Sequence, residues 1–399
     1  MPAGTPAQVV VNARGVARLR AGHVWVYRSD LVSANGIAPG TLVRVLDERG
    51  RAQGTALYSS ASQIAIRMLS GGAVEDFSAL IRERLLAAIR YREQVVRDTD
   101  ACRLVFSEAD FLPGLIVDRY DGVLTIQVLT QAMDSEPARH AIVSTLVEQL
   151  SPAGIVERVE ERVRELEQLP PRTNSLLAGE KTTTVFTMNG VRFHYRGLEG
   201  QKTGAFLDQR ENYAAAARYA HGDALDVFCY QGGFALHLAG ACSQVTGVDR
   251  ARTALGMAEQ NAALNKPERE IEWIEGNAFD LLKDYSEVGR RYDTIVLDPP
   301  AFARSRRNLE TALRGYKELN LRALKMLRPE GILVTCSCSY HVSEGDFLEV
   351  VAAAALDARR TLRLIEKRGQ ARDHPVLMGV PETAYLKCLI AQVSGKSLG

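Results

Sequence analysis

The sequence predicts an α/β protein: a doubly wound, mostly parallel sheet in its C-terminal half, preceded by a small β-barrel and a central α+β module. Three observations carry this reading. From about residue 221 onward, apolar strands alternate with helical segments at the spacing of a parallel sheet covered on both faces. The turn after the first of these strands is Cys229-Tyr-Gln-Gly-Gly-Phe234, and the second strand ends on an acid, Asp249, as in a Rossmann-like ligand site. Residues 8–70 are instead short β-rich runs punctuated by Pro39-Gly40 and Arg49-Gly50.

With 399 residues the chain is too long for one ordinary core, and three segments are expected: 1–74, 75–180 and 181–399. Hydrophobic residues at 46% and charged residues at 24% are the profile of a globular protein. No apolar run reaches the length of a membrane span, and the N-terminus has no apolar core of signal type. Six cysteines without CxxC pairs point to a reducing cytoplasm, and no His/Cys cluster has metal spacing. The net charge of +1 says little, but residues 1–74 hold eight arginines, no lysine and three acids, a local balance of +5. Arginine forks match phosphate oxygens, so this asymmetry favours a polyanion partner, with an arginine-biased solvated surface as the alternative. Arg14, Arg18 and Arg20 are the candidate contacts.

In chain order, residues 9–11, 42–46, 54–58 and 64–68 read as barrel strands, and Phe77, Leu80, Ile81, Leu85, Ile89 and Val96 give helical spacing over 77–97. Strands follow at 115–118 and 123–129, then a helix near 135–150 and a charged segment at 155–168. Pro170-Pro171 and the polar stretch to Lys181 read as a linker or crossing loop. Residues 185–195 form a hairpin, because Asn189-Gly190 suits a type I′ turn. Sheet strands are then expected at 224–228, 244–248, 271–274, 294–297 and 331–336, with two late edge strands near 363–367 and 385–392.

In such a sheet, ligands bind beyond the carboxyl ends of the strands. Asp226, Phe228, Gln231, Gly232 and Gly233 surround the glycine turn, which lets backbone amides approach a ligand. The turn is not GxGxxG, which argues against a dinucleotide pyrophosphate. Asp249 can accept both ribose hydroxyls, or act as a helix N-cap for 251–264. Asn277 and Ala278 are placed to read an adenine edge, and Gln209 and Arg210 present a polar face before the first sheet strand. Arg210 suits a cofactor carboxylate or an RNA phosphate, or simply starts a solvated helix. Together these residues favour S-adenosylmethionine over NAD.

Asp298-Pro-Pro-Ala-Phe302 ends the fourth strand, where two prolines fix the backbone, Asp298 faces the methyl donor and Phe302 can stack on a base. The same turn serves amino-group methylation, so it does not fix the target atom. Thr335-Cys-Ser-Cys-Ser339 ends the fifth strand and adds thiols. Cytosine carbon 5 is a weak nucleophile until a thiolate adds at carbon 6, and a base in a duplex must be flipped out to be reached. Cys336 and Cys338 alternate onto one side of the strand; one is a nucleophile and the other a filler, and Cys338 lies nearer the end. Arg304, Arg306 and Arg307 follow the Pro-Pro turn as candidate phosphate contacts, or as a solvated loop.

The chain resembles the bacterial ribosomal RNA large subunit methyltransferase I family nearly end to end. The stretches that carry the resemblance are Gly22-His-Val-Trp-Val-Tyr27, residues 58–64, Phe106-Ser-Glu-Ala-Asp110, residues 112–120, Gln201–Arg210, Asp226–Phe234, Asp298–Phe302, Ser337-Cys-Ser339, Asp373-His-Pro-Val376 and Tyr385-Leu-Lys387. The resemblance implies a PUA-like RNA-binding barrel, a class I methyltransferase domain, S-adenosylmethionine as cofactor and a 23S rRNA cytosine as target. It also implies the nucleophile at Cys338 and a homodimer. Other cytosine carbon 5 enzymes carry a cysteine after Asp-Pro-Pro, where this chain has Ala301. Two rival readings share the fold: a guanine N-methyltransferase in which Cys338 is inert, and an RNA-binding assembly factor without catalysis.

Overall fold

The computed structural model describes residues 7–34, 36–199, 204–268, 270–303 and 305–394. The chain divides into two compact units: Met1–Phe186 with Tyr195–Gly204 and Arg372–Thr383, and Thr187–His194 with Ala205–Ala371 and Ala384–Gly399.

The first unit begins with β1 (Gln8–Val11), α1 (Ala13–Arg20), β2 (Trp25–Tyr27), β3 (Leu31–Ser33), β4 (Leu42–Asp47), β5 (Ala52–Tyr58) and β6 (Ile64–Ser70). These strands form one sheet in the order β2-β6-β5-β4-β1-β3, over a core of Val9, Val11, Val26, Val43, Val45 and Ile66. Four of the strands fall where the β-rich runs are. α1 was not foreseen, because its apolar content is small; Asn12 starts it by accepting the amide of Gly15. β5 and β6 are tied closely enough that only glycine fits at position 54. Its φ is +131°, and a Cβ there would meet the Ser70 carbonyl oxygen at 2.1 Å. Gly54→Ala is expected to lower unfolding stability by about 3 kcal/mol, read as a fall in the urea midpoint at unchanged slope.

The unit continues with α2 (Phe77–Val95), β7 (Ala101–Phe106), β8 (Leu115–Tyr120), β9 (Val123–Val128), α3 (Glu136–Leu150), β10 (Gly154–Glu157), α4 (Glu161–Leu166) and β11 (Ser175–Gly179). The sheet order is β11-β10-β9-β8-β7, and Ile81 and Leu85 of α2 share its core with Ile142 and Leu146 of α3. One expectation is corrected here. The stretch 170–181 is not merely a linker, since β11 pairs antiparallel with β10. Its half-exposed edge position and the prolines before it left no alternating pattern to read. The charged segment 155–168 holds β10 and α4; Glu157 and Arg164 are buried in ion pairs, while Glu161, Arg162 and Glu165 stay exposed. Arg139 reaches Glu157 at 2.6 Å, and Arg164 reaches Asp134 at 3.0 Å.

β12 (Thr183–Met188) and β13 (Val191–Arg196) form the expected hairpin, with positive φ at both Asn189 and Gly190. The second unit is built from α5 (Arg210–Tyr219), β14 (Asp223–Val227), α6 (Gly233–Leu238), β15 (Gln244–Asp249), α7 (Arg252–Asn265), β16 (Glu272–Glu275), α8 (Ala278–Glu287), β17 (Tyr292–Leu297), α9 (Leu309–Met326), β18 (Leu327–Ser337), α10 (Glu344–Asp357), β19 (Leu362–Arg368) and β20 (Lys387–Val393). The sheet order is β16-β15-β14-β17-β18-β20-β19. Strands β14 to β18 are parallel neighbours, and β20 runs antiparallel between β18 and β19. Register decides where the chemistry lies. Val227 is level with Val248 and Leu297, and Leu297 with Thr335, so Phe228, Asp249, Asp298 and Cys336 emerge along one edge. Because β20 is reversed, its first residue, Lys387, arrives at that same edge opposite Ser337. Among the described residues, no helix is long and apolar enough to cross a membrane.

Candidate active site

The turn after β14 is tight and strained. Phe228 and Tyr230 both have positive φ, unusual for aromatic residues. The amides of Phe228 and Cys229 both donate to the Val248 carbonyl, and the Gly232 amide donates to Cys229. Gly233 is fixed by crowding, since a Cβ there would lie 2.5 Å from the Tyr213 hydroxyl. Such strain at a strand end marks a site where backbone is held for a ligand.

Acids converge on this turn. Asp226 is fully buried; one carboxylate oxygen accepts the Ala235 amide at 2.8 Å, while the other is buried with no hydrogen-bond partner. Burial, and then the Asp298 and Asp249 charges, push its pKa up to about 8. Asp249 accepts the amides of Tyr230 at 2.9 Å and Ala251 at 2.8 Å. The helix cap read into Asp249 is thus met at one remove, because Ala251 occupies the N-cap position of α7. Asp208 accepts the Tyr385 hydroxyl at 2.6 Å. The buried Tyr213 phenol is raised well above its ordinary pKa by burial and then by Asp298, Asp208 and Asp226. A cluster of carboxyl groups with two buried oxygens unpartnered, one on Asp226 and one on Asp208, suits a cationic ligand, and S-adenosylmethionine carries a sulfonium.

Asp226 gives a pH test of its own. A carboxyl raised from about 4 in the unfolded chain to about 8 in the fold stabilises fully below pH 4. That contribution is lost as the pH rises through 8. The melting temperature of Asp226→Asn minus that of the wild type, without cofactor, is therefore expected to grow steadily from pH 5 to 9. A flat difference across that range would show that Asp226 is ionised throughout.

The thiols separate clearly. Cys336 is fully buried and stands opposite Cys388 in the β18–β20 pairing. Of the six cysteines, Cys338 alone is not buried. Its Sγ lies 3.8 Å from the Pro299 carbonyl oxygen, which brings the thiol to the Asp298-Pro-Pro turn. The residues on either side are locked: the hydroxyls of Ser337 and Ser339 lie 3.0 and 2.9 Å from the Tyr316 hydroxyl, and the Ala303 amide donates to Ser339. Sequence reasoning did not single out Lys387 as a site residue. Its ammonium donates to the carbonyls of Ser339 at 2.7 Å and Tyr385 at 2.9 Å. Two signals were available: its place in the Tyr385-Leu-Lys387 stretch that carries the resemblance, and a lysine beginning an otherwise buried strand. Tyr213 and Tyr316 gave no such signal, because each sits in a helix as an ordinary core aromatic.

The remaining predicted residues are placed as follows. Phe228 packs on the apolar core beneath the turn, and the Gln231 side chain reaches the Tyr230 hydroxyl at 3.4 Å. Asn277 caps α8 by accepting the Phe279 amide, with Ala278 buried behind it. Gln209 is buried and accepts from Asn212 at 2.6 Å. Arg210 is only 1% exposed and lies 3.6 Å from Glu211, so a surface RNA phosphate does not reach it. Phe302 packs with ring centroids 4.8 Å from Tyr316 and 5.9 Å from Phe279, leaving it only partly exposed. Arg307 is exposed, whereas Arg304 and the side chain of Arg306 lie outside the described residues.

In the first unit, Arg14 and Arg18 both bond the fully buried Asp30, and the Arg18 guanidinium sits 4.6 Å over the Tyr27 ring. Burial works to raise the Asp30 pKa, and the bonds from Arg18 and Arg14 outweigh it, so the carboxyl stays below its usual value. Arg20 is exposed. Among the described residues, no group of three or more His, Cys, Asp and Glu side chains is arranged to hold a metal.

A strained glycine turn, acids at successive strand ends and a reversed strand inserted next to the sheet's edge define an S-adenosylmethionine-dependent methyltransferase. The family model described by those words matches residues 107–391, and a PUA-like domain model matches residues 9–71. The chain is 38% identical over 379 residues to ribosomal RNA large subunit methyltransferase I of Photobacterium profundum, covering 92% of this chain and 95% of that protein. It is 35% identical over 395 residues to the protein of that name from Alteromonas mediterranea, covering 97% and 99%. The chain belongs to the ribosomal RNA large subunit methyltransferase I family. A methyltransferase solved with S-adenosylhomocysteine shares the fold at a TM-score of 0.83 and 18% identity, over 97% of this chain and 100% of that one. A structure from Streptococcus mutans does so at 0.81 and 18%, with the same coverage. The cofactor is S-adenosylmethionine.

Proposed function

We propose that the protein methylates carbon 5 of a cytosine in 23S ribosomal RNA through a covalent bond between Cys338 and ring carbon 6. The observation that carries this reading is the placement of the one unburied thiol, 3.8 Å from the carbonyl that follows Asp298. Relatives named for ribosomal RNA large subunit methylation support the substrate class. The target base is flipped out of its stack, and Asp298 holds its N3 edge as negative charge develops on the ring. The Cys338 thiolate forms the S–C6 bond, and the electron pair of the C5–C6 double bond moves to carbon 5, which becomes nucleophilic. Bound S-adenosylmethionine supplies an electrophilic methyl group to that carbon. Loss of the carbon 5 proton to a base then restores the double bond and expels the thiolate. The exposed Arg14, Arg20 and Arg307 are the candidates for backbone phosphates.

The test is the identity of the product. The protein is incubated with methyl-labelled S-adenosylmethionine and 23S rRNA lacking its natural methyl groups, and the RNA is digested to nucleosides. Labelled 5-methylcytidine is expected. A labelled guanosine would make the protein a guanine methyltransferase, and cofactor binding without any label would make it a binding factor.

A further inference from the structure

Lys387 is buried and, among the described residues, has no carboxylate within ion-pair distance, and its surroundings say what it serves. It begins β20 and stands opposite Ser337, one residue before the thiol. Its nitrogen donates to the carbonyl of Ser339, one residue after the thiol, and to the carbonyl of Tyr385. The lysine thus spans the Cys338 backbone from the neighbouring strand, and both of its bonds go to neutral acceptors. An amino nitrogen with two carbonyls satisfied has one position left. On the ammonium this is an N–H, and on the neutral amine it is a lone pair.

We infer that Lys387 is the positioning residue that makes the Cys338 thiol reactive, by holding an ammonium charge at the backbone carbonyl next to it. The thiol gives up its proton to water, and the ammonium held at the Ser339 carbonyl offsets the charge of the thiolate, with both carbonyl bonds intact. Burying an ammonium without an anion is costly, so the thiolate stabilises the charged lysine as much as the lysine stabilises the thiolate. The lysine's balance agrees: burial lowers its pKa to about 8, and the Cys338 charge and then that of Asp346 oppose the shift. The other titratable groups near the pair are Tyr316 from α9 and Asp346 from α10, with Asp298 on the turn after β17. Tyr316 is held by Ser337 and Ser339, and Asp346 is taken up by the Ser343 capping box, so neither is placed to accept the thiol proton.

This inference rests on Cys338 being the nucleophile, but its test needs neither RNA nor cofactor. Cys338 is the one cysteine open to reagent, so the rate of alkylation by iodoacetamide across pH 5–10 reports its thiolate, with mass spectrometry confirming the site. The wild type is expected to show a midpoint about one unit or more below the 8.5 of an ordinary thiol. Lys387→Gln, which keeps an amide donor without charge, is expected to lose that shift and to react roughly tenfold more slowly at pH 7. Lys387→Arg is expected to recover most of it. A wild-type midpoint at or above 8.5 overturns the inference whether or not any variant folds. So does an unchanged midpoint in a Lys387→Gln protein that melts like the wild type. If alkylation behaves as expected while the RNA product is a guanosine, the pairing stands and the cytosine reading falls.

Discussion

Cys338→Ala is expected to abolish methyl transfer to RNA, by about 10³-fold or more, while binding S-adenosylmethionine with unchanged affinity. The split follows from geometry. The thiol belongs to the end of β18 and touches the Pro299 carbonyl, whereas the cofactor turn and its acids lie at β14 and β15. Removing one sulfur that is only partly buried leaves Ser337, Ser339 and Tyr316 bonded as before, so the melting temperature should move little. Methylation assays paired with calorimetric titration of cofactor separate the two quantities. Full activity in the variant would assign Cys338 to packing and transfer the reading to guanine.

The second large effect is expected at Asp249. Asp249→Ala should weaken S-adenosylmethionine binding about 100-fold, because two functions end together. The carboxylate is the expected acceptor for the ribose hydroxyls. It also accepts the Tyr230 and Ala251 amides, which holds the strained turn against the start of α7. Hydrogen bonds to a charged acceptor contribute roughly 1.5–3 kcal/mol each, and the loss of only one would already approach the predicted change. Asp249→Asn keeps one acceptor oxygen and should fall between the two. Equal affinities for wild type and Asp249→Ala would place the ribose elsewhere.

What the sequence disclosed follows physical period and punctuation. The central parallel strands β14 and β17 were legible because both of their faces are mostly buried, which leaves apolar runs, and the Asn189-Gly190 hairpin was legible from turn chemistry alone. β11 and α1 were not legible, since an exposed edge strand and a short arginine-rich helix carry weak periodicity. Within the site, Asp249, Asp298 and Cys338 stand out because each ends or follows a strand, and Asp226 because it lies in the strand that leads into the glycine turn. Lys387 and Tyr316 do not, because their importance lies in which strand register and which helix face they meet in space. Arg210, which suits a cofactor carboxylate or an RNA phosphate by sequence, is buried beside Glu211. Arg14 bonds Asp30 while most of its side chain stays exposed, and neither burial nor exposure has a period to read.

The reversed strand β20 has a consequence for the order in which the protein is made. It is the last of the described strands in sequence, yet it sits inside the sheet, between β18 and β19. During synthesis β19 leaves the ribosome before the strand that joins it to the rest of the sheet. Until Lys387–Val393 arrives, the cysteine end of β18 has neither its cross-strand partner nor its lysine. A growing chain can therefore form the turn after β14 before β20 emerges, while Cys338 has no Lys387 across from its strand until β20 arrives.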